Sequence, residues 1–120
     1  INMFLISISY GEALDRYSIL QIKSELIKNK EKHIYIQKEL DLLSKIIGEI
    51  KYNQLYNQLY IVNKKIWLLS DLIRDNNIPN INDLLDIHIL NDERYKIKSE
   101  INDYDNSDIK EYKSYEKLLC

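Results

Sequence analysis

A chain of 120 residues with a formal net charge of -2 and a pI near 5.7 has the length of one domain with a single modest core. The charge excludes the basic footprint of a nucleic-acid binder, which shows as a high pI and clustered Lys/Arg. No apolar run approaches the roughly 18 residues needed to cross a bilayer, and Met3-Phe4-Leu5-Ile6 lacks the basic lead and the length of a signal peptide. The only cysteine is Cys120, so an internal disulfide is impossible and a reducing compartment is expected: the cytoplasm, or the host cytoplasm for a viral protein.

Residues 3–8 read as a short extended segment. Ser9-x-x-Glu12 then matches a capping box, in which the Ser9 oxygen accepts from the Glu12 amide and the Glu12 carboxylate reaches back to the Ser9 amide. A first helix follows over about residues 10–29, with Ala13, Tyr17, Leu20, Ser24 and Ile27 on one stripe and Ile19, Ile22 and Leu26 widening it. The polar break Asn29-Lys30-Glu31-Lys32 separates it from a second helix over about 32–51. There Ile36, Leu40, Leu43, Ile47 and Ile50 form a heptad-like run, and Gly48 predicts a bend or an early stop. A period-four phrase places Tyr52, Tyr56 and Tyr60 one above another on a helix.

The third helix, over about 54–75, organises the rest. Leu55, Leu59, Val62, Ile66, Leu69 and Ile73 recur at alternating steps of four and three, and Asn63, Trp67, Asp71 and Arg74 run beside them as a polar stripe. Asp75-Asn76-Asn77-Ile78-Pro79, with the only proline, ends it. A fourth helix over about 81–103 carries Leu84, Ile87, Leu90, Arg94, Ile97 and Ile101, and a polar, aromatic tail occupies 107–120. No linker composition divides residues 1–120, so the pattern predicts one all-α domain: an antiparallel four-helix bundle or a pair of long helical hairpins, with a short extended N-terminal segment.

Three arginines stand among fourteen lysines. Each lies one helical step from an acid or amide: Arg16 from Glu12, Arg74 from Asp71, Arg94 from Asn91. The guanidinium fork suits carboxylate or phosphate and tolerates partial burial, so the arginines read as structural ion pairs, as a shared anion pocket at one end of the bundle, or as independent surface groups. Asn91, Arg94, Lys98 and Asn102 make a second polar strip on the fourth helix. Two such strips facing each other would hold a phosphorylated or sugar-like ligand with Trp67 stacked on it; for Trp67 taken alone, core packing with its indole N–H bonded is the favoured reading. Glu12 and Asp15, with Asp71 or Asp92, are the residues that would hold magnesium in an enzyme reading. There is no E-x-x-H pair, no G-x-S-x-G elbow, no phosphate loop and no partner for His33 or His88, so no cofactor is strongly indicated.

The motifs Ser9-Tyr10-Gly11-Glu12, Asp15-Arg16 and Ser18-Ile19-Leu20-Gln21-Ile22-Lys23 resemble the opening of a family of small uncharacterised proteins of bacteria and some large viruses. Val62-Asn63, Trp67, Asp71-x-x-Arg74, Asn91-Asp92-x-Arg94, Lys98, Ile101-Asn102 and Glu111-x-Lys113-Ser114-Tyr115 are similar to its later signatures. The family is known only as a domain of unknown function, and its bacterial members are often encoded near glycosyltransferase and surface-polysaccharide genes. The resemblance implies a common site or a common buried network among Glu12, Asp15, Arg16, Lys23, Asn63, Trp67, Asp71, Arg74, Asn91, Asp92, Arg94 and Lys98. The chain departs from the pattern at Leu26, where a basic residue is expected, and at Arg16, where lysine is common.

The resulting expectation is a non-enzymatic helical binding or oligomerisation module, accessory to glycan or surface-polysaccharide metabolism. Its ligand is anionic or sugar-like, on Arg16, Lys23, Asn63, Trp67, Arg74, Asn91, Arg94 and Lys98. A protein partner or a second copy would meet its tyrosines and apolar fringes. The alternative is a small Mg-dependent enzyme acting on a nucleotide sugar or other phosphorylated substrate, with the metal on Glu12, Asp15, Asp71 and Asp92.

Overall fold

The computed structural model of the protein describes residues 4–76 and 80–106. Among the described residues there are four helices: α1 (Tyr10–Leu26), α2 (Lys30–Ile47), α3 (Asn53–Asp75) and α4 (Ile81–Asp105). Residues 4–7 precede them as an exposed non-helical segment, and no strand occurs among the described residues. Met3, Pro79 and the tail 107–120 lie outside them.

Three of the helices, α1, α2 and α4, begin where a side chain supplies a partner for an unpaired amide; α3 starts after Tyr52 without one. Ser9 accepts from the Glu12 amide, Asn29 from Lys32, and Asn80 from Asn82. The Glu12 carboxylate does not complete the capping box: it turns to Lys98 and Arg16 instead. α1 stops at Leu26 rather than near residue 29, because Ile27 goes extended and Asn29 already caps α2. α2 ends at Ile47, where Gly48 takes a positive φ of 66° that side-chain-bearing residues seldom adopt. Tyr52 sits just before α3 in the left-handed region, so it does not stack on a helix with Tyr56 and Tyr60.

The helices α1, α3 and α4 pack against one another, whereas α2 lies along α1. α1 and α4 run antiparallel, Gly11 meeting Asn102 and Asp15 meeting Arg94. The main core joins Leu14, Tyr56, Leu59, Val62, Ile97 and Ile101; a smaller one joins Leu20, Ile36 and Leu40 between α1 and α2. Burying each such side chain stabilises the fold by about 1.5–3 kcal/mol. The tyrosines fasten the edges. Tyr52 stacks on Tyr104 and meets the edge of Tyr10, whose hydroxyl accepts from the Lys51 amide. Tyr56 and Tyr60 donate to Gln21 and Glu25 on α1.

Burial drives the Tyr56 phenol far above its ordinary value of 10.0, and Tyr17, Tyr60 and Glu25 add to the rise. The neutral phenol is therefore the folded form, so its contribution is intact below the unfolded value and lost as pH climbs above it. Denaturant melts run from neutral to alkaline pH should show stability falling above about pH 10. Tyr56→Phe, which has no proton to lose, should blunt that fall while costing about 1 kcal/mol at neutral pH for the lost bond to Gln21.

Candidate functional site

The centre of the site is Asp15, whose carboxylate is 1% exposed where α1, α3 and α4 meet. An isolated buried carboxylate is strongly unfavourable, and the three helices supply what offsets it. Arg94 of α4 forks onto it, Nε donating to Oδ1 at 2.9 Å and Nη2 to Oδ2 at 2.5 Å. Asn63 of α3 donates from Nδ2 to Asp15 Oδ1 at 2.8 Å and to Ser18 Oγ at 2.7 Å, while Ser18 donates to the Asp15 carbonyl. Lys98 Nζ stands 3.8 Å from Asp15 and 2.7 Å from Glu12, which also holds Arg16 at 3.3 Å. The result is a seam of alternating charge between α1 and α4: Arg16, Glu12, Lys98, Asp15, Arg94. Glu12 lies in the first turn of α1, where the helix dipole favours it.

The same seam is closed at one end by backbone. The Gly11 amide, one of the unpaired donors opening α1, gives its hydrogen to Asn102 Oδ1 at 2.8 Å. A β-carbon at Gly11 would stand 2.6 Å from the Lys98 carbonyl and 2.7 Å from Asn102 Oδ1, so glycine is what allows α1 and α4 to approach this closely.

At the other end, Arg94 forms the wall of a cavity of about 140 Å³ between α1, α3 and α4. Ile19, Asn63, Ile66, Trp67, Ser70 and Arg74 complete its lining. Four residues that sequence reasoning assigned to a ligand, Asn63, Trp67, Arg74 and Arg94, are thus brought to one hollow. Arg74 is 76% exposed and, among the described residues, is held by Asp71, 3.2 Å away on its own helix. The two polar strips meet at Arg94; Lys98 and Asn102 turn to α1 instead.

The remaining candidates lie elsewhere. Arg16 is 55% exposed beside Glu12. Lys23 sits in the last turn of α1, and Asn91 is exposed with its amide donating to the Ile87 carbonyl. Arg94 pairs with Asp15, 79 positions away in the chain, and not with neighbouring Asn91. Of the four acids, Glu12 and Asp15 are occupied by cations, Asp71 holds Arg74, and Asp92 stands 3.8 Å from His88. Among the described residues no three Asp, Glu, His or Cys side chains come together as a metal cluster. Ser18, Ser70 and Gly11 were not singled out for these contacts. Ser70 could have been found: it stands three residues after Trp67 and four before Arg74, on the same stripe.

An all-α protein built on two helical hairpins, with a buried ion-pair seam and a polar hollow at its end, is the class these features define. The chain belongs to a family of unknown function, DUF6165, whose model matches residues 4–120. No curated protein and no solved structure matches it. No helix among the described residues is long and apolar enough to cross a membrane.

Replacing Asp15 by Ala removes the acid that Arg94 and Lys98 share. Urea unfolding should show a loss of about 3–5 kcal/mol, the range for breaking a buried pair. Arg16→Ala, at an exposed pair, should change stability by no more than about 0.5 kcal/mol. Gly11→Ala should cost about 1–3 kcal/mol, the range for inserting an atom into a filled contact.

Proposed function

We propose that this protein is a non-enzymatic helical module that holds one small, polar, anionic ligand in the hollow between Trp67, Arg74 and Arg94. The observation that carries this reading is the lining itself: an aromatic plane, two guanidinium groups, an amide and a hydroxyl around about 140 Å³. A space of roughly 150 Å³ takes a single six-membered ring, so the hollow fits one sugar ring or a comparable headgroup and not a whole nucleotide sugar. Trp67 offers a flat apolar face of the kind that packs on the C–H face of a pyranose. Arg94 is oriented by the Asp15 fork and lines the hollow as a fixed cation. Arg74 is the adjustable cation, because its exposed pair with Asp71 is worth only about 0.2–1 kcal/mol and yields readily to a carboxylate or phosphate. A sugar acid or sugar phosphate is the chemistry that matches this set.

The non-catalytic reading is supported by the occupation of the two α1 acids nearest the hollow. Glu12 and Asp15 already hold Lys98 and Arg94, which leaves neither placed as a general base over the hollow.

The chain contains a single tryptophan, so Trp67 fluorescence reports on the hollow without labelling. Titration with inorganic phosphate, glucose 1-phosphate and glucuronate should give a saturable change for at least one of them. At 100 times its dissociation constant that ligand should add about 2.7 kcal/mol of stability in a thermal melt. Arg74→Ala should weaken binding about tenfold or more, corresponding to ~1.4 kcal/mol, with Arg16→Ala leaving it unchanged. Flat fluorescence and unshifted melts with all three compounds would remove the proposal.

A further inference from the structure

A second feature stands apart from the hollow. On the opposite flank of α3 and α4, Lys65, Leu68, Leu69, Leu72, Asp86, Ile89 and Leu90 line an open groove of about 540 Å³. Ile61, Leu68 and Leu72 on α3 and Ile81, Leu85 and Ile89 on α4 are each half exposed or more. Their helical spacing sets them along one side of the hairpin. Together they leave on the order of 600 Å² of aliphatic surface, the top of the range for the largest patch on an ordinary monomer and near the ~800 Å² per partner of a stable interface.

The exposed apolar residues Phe4, Leu5 and Ile6 do not cover it. They enter α1 beside Asn102, near the far end of α4, and the helix between that point and the groove is about 20 Å long. Residues 4–9 extend to about 17 Å at most. The groove also carries one cation and one anion, Lys65 and Asp86. An apolar surface that carries one charge of each sign can be complementary to itself: a two-fold axis bisecting the line between Lys65 and Asp86 sets each charge toward its opposite.

We infer that this face of the α3/α4 hairpin pairs with the same face of a second copy of the chain, forming a four-helix bundle across the two-fold axis. Helix pairs of this length pack in that arrangement at small crossing angles. The ligand hollow lies on the other flank of α3 and stays open in the dimer.

Light scattering on a sizing column should give twice the chain mass of 14.4 kDa, dissociating only on dilution. Leu68→Glu and Ile89→Glu should each give a monomer with an unchanged helical circular-dichroism spectrum. Lys65→Glu and Asp86→Lys should each weaken the dimer about tenfold, and the two combined should restore it. This last comparison stands even where a core-facing variant loses its fold. A wild-type monomer at the highest concentration reached would overturn the inference, as would a dimer that survives Leu68→Glu with Ile89→Glu. A different protein as the true occupant of the groove would show as the first of these results.

Discussion

One carboxylate dictates the arrangement of three helices. Asp15 sits where α1, α3 and α4 converge, and its charge is tolerated there only because each of the other two helices sends a donor: Asn63 from α3, Arg94 and Lys98 from α4. Slide α4 along α1 by one turn, about 5.4 Å, and the guanidinium fork no longer meets the acid. The apolar cores alone would tolerate such a shift better, since Leu14, Leu59 and Ile101 interact without direction. Buried ion pairs add little net stability against a well-packed apolar alternative. What this one supplies is register, and register is what puts Arg94 beside Trp67 and Arg74.

The three arginines do not share one role. Arg94 is both clamp and wall: its fork holds Asp15 and it lines the hollow. Arg74 pairs with Asp71, an exposed acid on its own helix, and borders the same hollow. Arg16 closes the outer end of the charge seam at an exposed pair. A common seam therefore links Arg16 with Arg94, and a common cavity links Arg94 with Arg74.

Helix period and capping chemistry made the fold readable. Three-four spacing of Leu and Ile marks one side of α2, α3 and α4, and Ser9, Asn29 and Asn80 mark three of the starts. The site was legible in α3, where Asn63, Trp67 and Arg74 share a face. It was opaque in α1. Leu14, Asp15 and Ser18 are nearly inaccessible, yet the residues alone offered Asp15 only as a metal candidate, and it was the family resemblance that grouped it with Arg94. Only its partner 79 positions away explains its burial, and periodicity carries no information at that range. Gly11 was likewise silent, because a contact with the backbone of α4 has no local signature.

The unequal attachment of α2 has a dynamic corollary. Helices α1, α3 and α4 hold one another, but α2 rests on α1 through the small cluster of Leu20, Ile36 and Leu40. Its release exposes that cluster and leaves the Asp15 junction untouched, so α2 should open as a separate cooperative unit ahead of global unfolding. In deuterium exchange its amides would then label first among the four helices, while those around Val62 and Ile97 wait for the whole molecule to come apart.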